Sequence, residues 1–277
     1  MFARVICMVA ILVGNVAADE WDVKHLGFSG IPIQGNETLM KGLGFAKLPV
    51  KKGILVAVVN PDTPTAAGGL RPLAIVSAIN RKPVGSEDDA AAVLSSLELG
   101  ADVLLAGHTL RKNVWKSGTV KTKVMTHREV LQSSMERSVD SIEGIIRWDH
   151  KFEPEGQLKQ VKLYALAQID KPPQLRAEVL WVDKEWLFIN SLTVANGTRK
   201  ETADVKPFTG AEKIKTGFIV ERKTCQVSQA FGDLLIQPGT KVRMTGTKEY
   251  YDHDLSISEI WINKDVVDFY RMMSAKP

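Results

Sequence analysis

The run Gly53-Ile54-Leu55-Val56-Ala57-Val58-Val59 constrains this chain more than any other segment. It is apolar, rich in β-branched residues and free of polar alternation, which fits a buried strand. It stops at Asn60-Pro61-Asp62-Thr63-Pro64, where proline fixes φ and Asn and Asp cap the backbone, so a turn follows. Thr65 to Leu70 reads as one helical turn ended by Gly68-Gly69. Leu73 to Ile79 is a second apolar strand, and Asn80-Arg81-Lys82-Pro83-Val84 a tight reversal. Ser86 caps a helix through Leu97, with Asp89 as a weak capping-box partner. Ala90, Val93, Leu94 and Leu97 fall on one face of that helix. Asp102 to Ala106 and Val120 to Met125 form a hairpin around Arg111-Lys112-Asn113. Upstream, His25 to Ile31 reads as a strand, and Asn36 caps a short helix beginning at Asn36–Met40.

Taken in order, Leu26-Gly27-Phe28, a short helix, Gly53-Ile54-Leu55-Val56, Asn60 to Ala67, Gly69-Leu70 and Ile75 to Val84 form a set. The stretch from about Trp21 to Thr126 thereby resembles the circularly permuted PDZ domains of HtrA/DegP-like proteins. The resemblance implies a partly open barrel that takes an extended peptide as an added strand and holds its C-terminal carboxylate in backbone amides. It puts the carboxylate loop at Leu26-Gly27-Phe28 and the pairing strand at Ser29-Gly30-Ile31. The opposite wall is the helix from Glu87 to Leu97, with Ala90, Val93 and Leu94 toward the groove or the core beneath it. Gly42-Leu43-Gly44-Phe45 spells the loop of ordinary PDZ domains, but in the permuted order it falls at a helix exit; an unpermuted domain would reverse the assignment. Two departures stand out. Leu73-Ala74 replaces the usual Gly-Asp, and Asn80-Arg81 the usual Asn-Gly, which puts an arginine where φ is expected to be positive.

The N-terminus has the three parts of a secretory signal peptide: Arg4, the apolar run Val5–Val13, and small residues in Val16-Ala17-Ala18 before Asp19. Residues 1–18 are therefore expected to be removed, and the mature protein to be exported, periplasmic or extracellular, without stable membrane insertion. Cys225 is then the one cysteine left, so no internal disulfide forms, and a buried structural thiol is expected. The net charge of +4 is spread among interleaved acids with no long basic run, which argues against nucleic acid.

Residues 127–157 read as a connecting segment, partly helical in spacing from Val130 to Ile146 and turning extended near Trp148. Residues 158–277 read as a β-rich domain. Val161–Gln168, Arg176–Val182, Trp186–Val194, Ile219–Arg222 and Lys241–Thr247 are its strands, and Asn196-Gly197 marks a hairpin. Ser256-Ile257-Ser258-Glu259 opens a terminal helix whose apolar stripe is Ile257, Ile260, Trp261, Val267 and Tyr270, with Lys264 at the same spacing. The expected class is thus α+β and mostly β: a PDZ-like domain, then a β-sandwich-like domain with a C-terminal helix. This second half softly resembles a β-rich module of exported bacterial proteins, a likeness carried by Trp181 to Ile189 and Tyr250-Tyr251-Asp252, and it brings no activity.

Catalytic patterns are missing from the sequence. No G-x-S-x-G elbow, H-E-x-x-H pair or dinucleotide loop occurs, so neither enzyme chemistry nor a cofactor is expected. Asp252-His253-Asp254 could offer metal ligands but reads better as a solvated loop. The leading expectation is a non-catalytic PDZ protein whose partners are protein or peptide C-termini. The alternatives are a structural envelope protein with an occluded groove, and a hydrolase with its site in the β-rich half.

Overall fold

Alternating apolar runs and proline- or glycine-bearing turns build antiparallel sheets throughout. The computed structural model describes residues 21–42, 47–152, 158–205, 212–213 and 217–275. Residues 1–18, expected as a leader, and Leu43-Gly44-Phe45 lie outside the described residues. The chain divides into two compact units, Met1–Ser134 and Met135–Pro277.

The first unit runs β1 (Lys24–His25), β2 (Phe28–Pro32), α1 (Glu37–Gly42), β3 (Ile54–Val59), α2 (Pro64–Ala67), β4 (Ile75–Ile79) and β5 (Lys82–Pro83). It continues with α3 (Glu87–Ser95), β6 (Asp102–Arg111), β7 (Val114–Lys123), β8 (Met125–Thr126) and α4 (His127–Ser134). An antiparallel sheet is ordered β2-β3-β4-β6-β7, with β5 beside β4 and β1 paired to β8. β3 is buried on both faces: Ile54, Val56 and Val59 join the main core, while Leu55 and Val58 are buried outside it. Thr63 caps α2 by accepting from the Ala66 amide. Asn80 and Arg81 both take positive φ, 47° and 66°, as a two-residue hairpin turn requires. The Asn80 side chain steadies that turn by accepting from the Leu104 amide at 2.8 Å. Ser86 caps α3 by accepting the Asp89 amide at 3.1 Å, and the Asp89 carboxylate binds chiefly the Gly85 amide, at 2.8 Å.

The second unit is mostly β. Its strands are β9 (Met135–Asp140), β10 (Ile145–His150), β11 (Lys159–Gln168), β12 (Lys171–Asp183), β13 (Ser191–Asn196), β14 (Arg199–Asp204), β15 (Glu212–Lys213) and β16 (Ile219–Val227). α5 (Gln229–Leu235), β17 (Lys241–Thr245), β18 (Tyr250–Asp254) and α6 (Ile257–Ser274) complete it. One antiparallel sheet is ordered β15-β16-β12-β11-β10-β9 and another β14-β13-β17-β18. α6 lies against β10, β11 and β12, and α5 against α6, β13 and β14.

Three sequence expectations need correction here. Residues 127–150 are not a connector: α4 belongs to the first unit, and β9–β10 form a hairpin that extends the second unit's larger sheet. Residues 187–190 are not strand, because the buried Glu221 carboxylate accepts the amides of Leu187, Phe188 and Ile189 at 2.7, 2.9 and 3.1 Å. Amides bound to that carboxylate cannot join a ladder. The buried stripe of α6 also differs from the expected one. Glu259, Ile262, Asn263, Val266 and Phe269 are buried, whereas Ile257, Ile260, Trp261 and Tyr270 are only partly covered.

Candidate functional site

β2 is the last strand of its sheet. Its hydrogen-bonded neighbour is β3, with Phe28 opposite Val59, Ser29 opposite Val58, Gly30 opposite Val56 and Ile31 opposite Leu55. A bulge between Ser29 and Gly30 adds twist at this edge. At Gly30 the strands approach so closely that a Cβ would stand 2.4 Å from the Leu55 carbonyl oxygen.

The chain enters β2 through a loop, not through a continuous strand, since the ladder is broken at Leu26 and Gly27. Two carbonyls of this loop are pinned by the Asn60–Thr65 turn. The Thr65 hydroxyl donates to the Leu26 oxygen, and the Asn60 amide donates to the Gly27 oxygen at 2.9 Å. In a trans peptide the following N–H points opposite to the carbonyl. The amides of Gly27 and Phe28 therefore both turn away from that turn. Gly27 sits at φ 72°, and a Cβ there would meet Thr63 at 2.9 Å. A left-handed residue between successive outward amides is the geometry of an anion-binding nest. In this structure the Gly27 amide donates to Nδ1 of His25 at 2.9 Å. The His25 ring stacks on His127 with centroids 5.4 Å apart and planes at 14°.

Leu26, Phe28, Val93 and Leu94 share one buried cluster, with Ala90 and Leu97 partly buried against it. Ile31 is buried as well but lies outside that cluster, as does its partner Leu55. The structure thus brings Leu26 and Phe28 together with the α3 residues, while Ser29, Gly30 and Ile31 run on along the sheet edge. α3 is tied to β1 through Lys24, whose ammonium donates to the Ser95 oxygen at 3.1 Å and to the Leu97 oxygen. A cation at these final carbonyls also suits the negative end of the helix. Two cavities of this unit, about 680 and 410 Å³, lie elsewhere, beside Ile33 and Lys52 and beside Gly69 and Gly118.

His25, Lys24 and the Asn60–Thr65 turn are parts of the loop that sequence reasoning did not assign. A histidine two residues before a glycine that must be left-handed was the available signal, but a ring–amide bond across that spacing depends on the loop conformation.

In the second unit several acids and histidines are bound into the structure. His150 donates toward Asp265 at 3.2 Å and accepts the Phe152 amide at 3.0 Å. Arg147 forks onto Asp149 and also reaches Glu178 at 3.2 Å, while stacking over Tyr164. Burial alone would push the Glu259 carboxyl up; the His253 ring and the Ser256 amide outweigh it and hold it below its ordinary value. His253 and Asp252 are engaged with Glu259 and Arg243, and among the described residues no three acidic, histidine or cysteine side chains group to hold a metal. Cys225 is buried, and burial pushes its thiol up to about 11. Among the described residues no helix is long and apolar enough to cross a membrane. No protein-family model matches the chain, and no curated protein matches it.

Proposed function

We propose that the protein is an exported, non-catalytic binding protein whose residues 19–126 form a permuted PDZ domain. In this reading C-termini or extended segments of partner proteins add to β2 by antiparallel pairing, with α3 as the opposite wall. The β-rich second half, proposed as sandwich-like, serves as a second docking surface. One observation carries the reading: β2 ends its sheet, and at its start two amides turn outward around left-handed Gly27. The order of helices and strands along the first unit supports it, as does the shared cluster of Leu26, Phe28, Val93 and Leu94.

Binding of the full mature chain to peptide arrays tests the proposal. Peptides with a free C-terminal carboxylate should bind at least about tenfold more tightly than their amides, a difference of about 1.4 kcal/mol. Ala90→Arg, on the half-buried face of α3, should weaken both, as should Gly27→Trp. Equal binding of acid and amide forms, or no loss in either variant, would count against it. Mass spectrometry of the secreted protein should find Asp19 as its first residue.

A second reading has an observation of its own. Val93 and Leu94 are only 7% exposed, and the Gly27 amide already has an acceptor in His25. On that reading the groove is closed and the unit serves as a structural part of the envelope. Absence of any peptide binding across pH and across both variants would favour it.

A further inference from the structure

We infer that His25 makes the carboxylate site proton-dependent, holding it capped when the ring is neutral and opening it to anions when the ring is charged. The inference rests on the reading of Leu26-Gly27-Phe28 as a carboxylate loop. It starts from one bond, the Gly27 amide donating to His25 Nδ1 at 2.9 Å. An acceptor nitrogen there stands in for a carboxylate oxygen, so the ring occupies the place of the ligand's terminal group. Only neutral imidazole, with its proton on Nε2, can do this. A protonated ring has two donors and no acceptor. The Gly27 N–H and the Nδ1–H would then face each other across 2.9 Å, so the bond breaks and the ring moves aside, releasing the Gly27 amide to an arriving anion. Protonation thus uncaps the Gly27 amide and leaves a positive charge beside it.

The linkage has a definite sign. The Gly27 bond favours the neutral ring in the free protein, and a bound carboxylate favours the charged ring. Binding therefore takes up a proton, and affinity rises as pH falls through the imidazole range. A peptide C-terminus, with an ordinary pKa of roughly 3.5, stays ionised through that range.

His127 at the start of α4 stacks on the His25 ring and is itself titratable. Arg128 follows on α4 and pairs with Asp22 at 3.6 Å. Glu129 on α4 is held by the amide and hydroxyl of Thr126. Lys24 on β1 directs its charge to the last carbonyls of α3, whose acids Glu87, Asp88 and Asp89 sit in its first turn, at the other end. His127, Arg128 and Lys24 oppose a charged His25, while Asp22 and Glu129 favour it.

The test uses the full mature chain and a fluorescein-labelled pool of random hexapeptides, with free or amidated C-termini. The free-acid pool should bind about tenfold more tightly at pH 5.5 than at pH 8, and the amidated pool should show no such gain. His25→Ala should bind the free-acid pool equally at both pH values, while His127→Phe, which keeps a stacked ring, should retain the gain. Independently of ligand, the Gly27 amide proton in NMR should titrate with the midpoint of the His25 ring itself. Binding with a flat pH profile in the unmodified protein overturns the gate and leaves the carboxylate loop standing. So does a gain that survives His25→Ala, or a Gly27 amide that ignores the His25 titration. No binding of the free-acid pool at any pH, in the unmodified protein and in His25→Ala alike, sinks the loop reading and the gate together.

Discussion

Gly27 and Gly69 both occupy left-handed backbone, at φ 72° and 91°, but they differ in what surrounds them. Around Gly69 an added Cβ meets nothing within 4 Å, whereas at Gly27 it meets Thr63 at 2.9 Å. Thr63 has no room to yield without loss, since its hydroxyl caps α2 and donates to the Asn60 oxygen at 2.7 Å. Gly69→Ala should therefore lose only the left-handed cost, about 1–2 kcal/mol. Gly27→Ala should add the disturbed cap and lose about 2–3 kcal/mol. Urea unfolding of the two variants, followed by a probe in the first unit, measures the difference. Equal losses would mean that the Asn60–Thr65 turn does not brace the Gly27 loop. The same residue shows why a loop glycine is legible in sequence while its conformation and its acceptor are not. Gly27 is visible as a residue whose lack of a Cβ allows close backbone approach, but His25 becomes its acceptor only once the loop is folded.

At the level of elements, the legible ones were those whose large apolar residues are all buried. β3 is such a case, and so is the Asn196-Gly197 hairpin between β13 and β14, where turn chemistry fixes the register. The hairpin β9–β10 was not, because Val139 and Ile142 are exposed and their helix-like spacing reflects no buried face. α6 was found with its start, for Ser256 and Glu259 close a full capping box, but its buried face was misjudged. That face contains polar residues, each matched to a partner, and sequence alone does not reveal partners. Asn263 shows the point best. Its side-chain oxygen accepts the Leu163 amide at 2.8 Å, and its nitrogen donates to the Val161 oxygen at 3.2 Å. β10 pairs with β11 only from Ala165 onward, so Asn263 takes the place of a neighbouring strand for two residues. Asn263→Ala would leave a buried donor and a buried acceptor unmatched, at roughly 1–3 kcal/mol each. Hydrogen exchange at the Leu163 amide should then accelerate at least tenfold more than at Ala177, in the strand pair that Asn263 does not touch. Uniform acceleration would show a general loss of stability instead of a missing strand substitute.

For the molecule as a whole, two separate cores have to hold without covalent help. With residues 1–18 removed, as proposed, Cys225 is the one cysteine left, and no internal disulfide is available. Stability then rests on packing and on satisfied buried polar groups, so reducing agent should leave the unfolding midpoint unchanged. Cys225 also offers an internal reporter for the second unit. It is 2% exposed on β16, and burial pushes its thiol up to about 11, so in the native protein it is both shielded and un-ionised at neutral pH. A thiol reagent at pH 7.5 should label it only through the small population in which β16 is open, because the thiolate is the reacting species. Asn263→Ala, which weakens the same unit, should raise the labelling rate in proportion to its lost stability, about tenfold for each 1.4 kcal/mol when opening is a fast pre-equilibrium. Rapid labelling of the unmodified protein under native conditions would place Cys225 at a mobile edge and remove it from the core that α6 and Asn263 are argued to close.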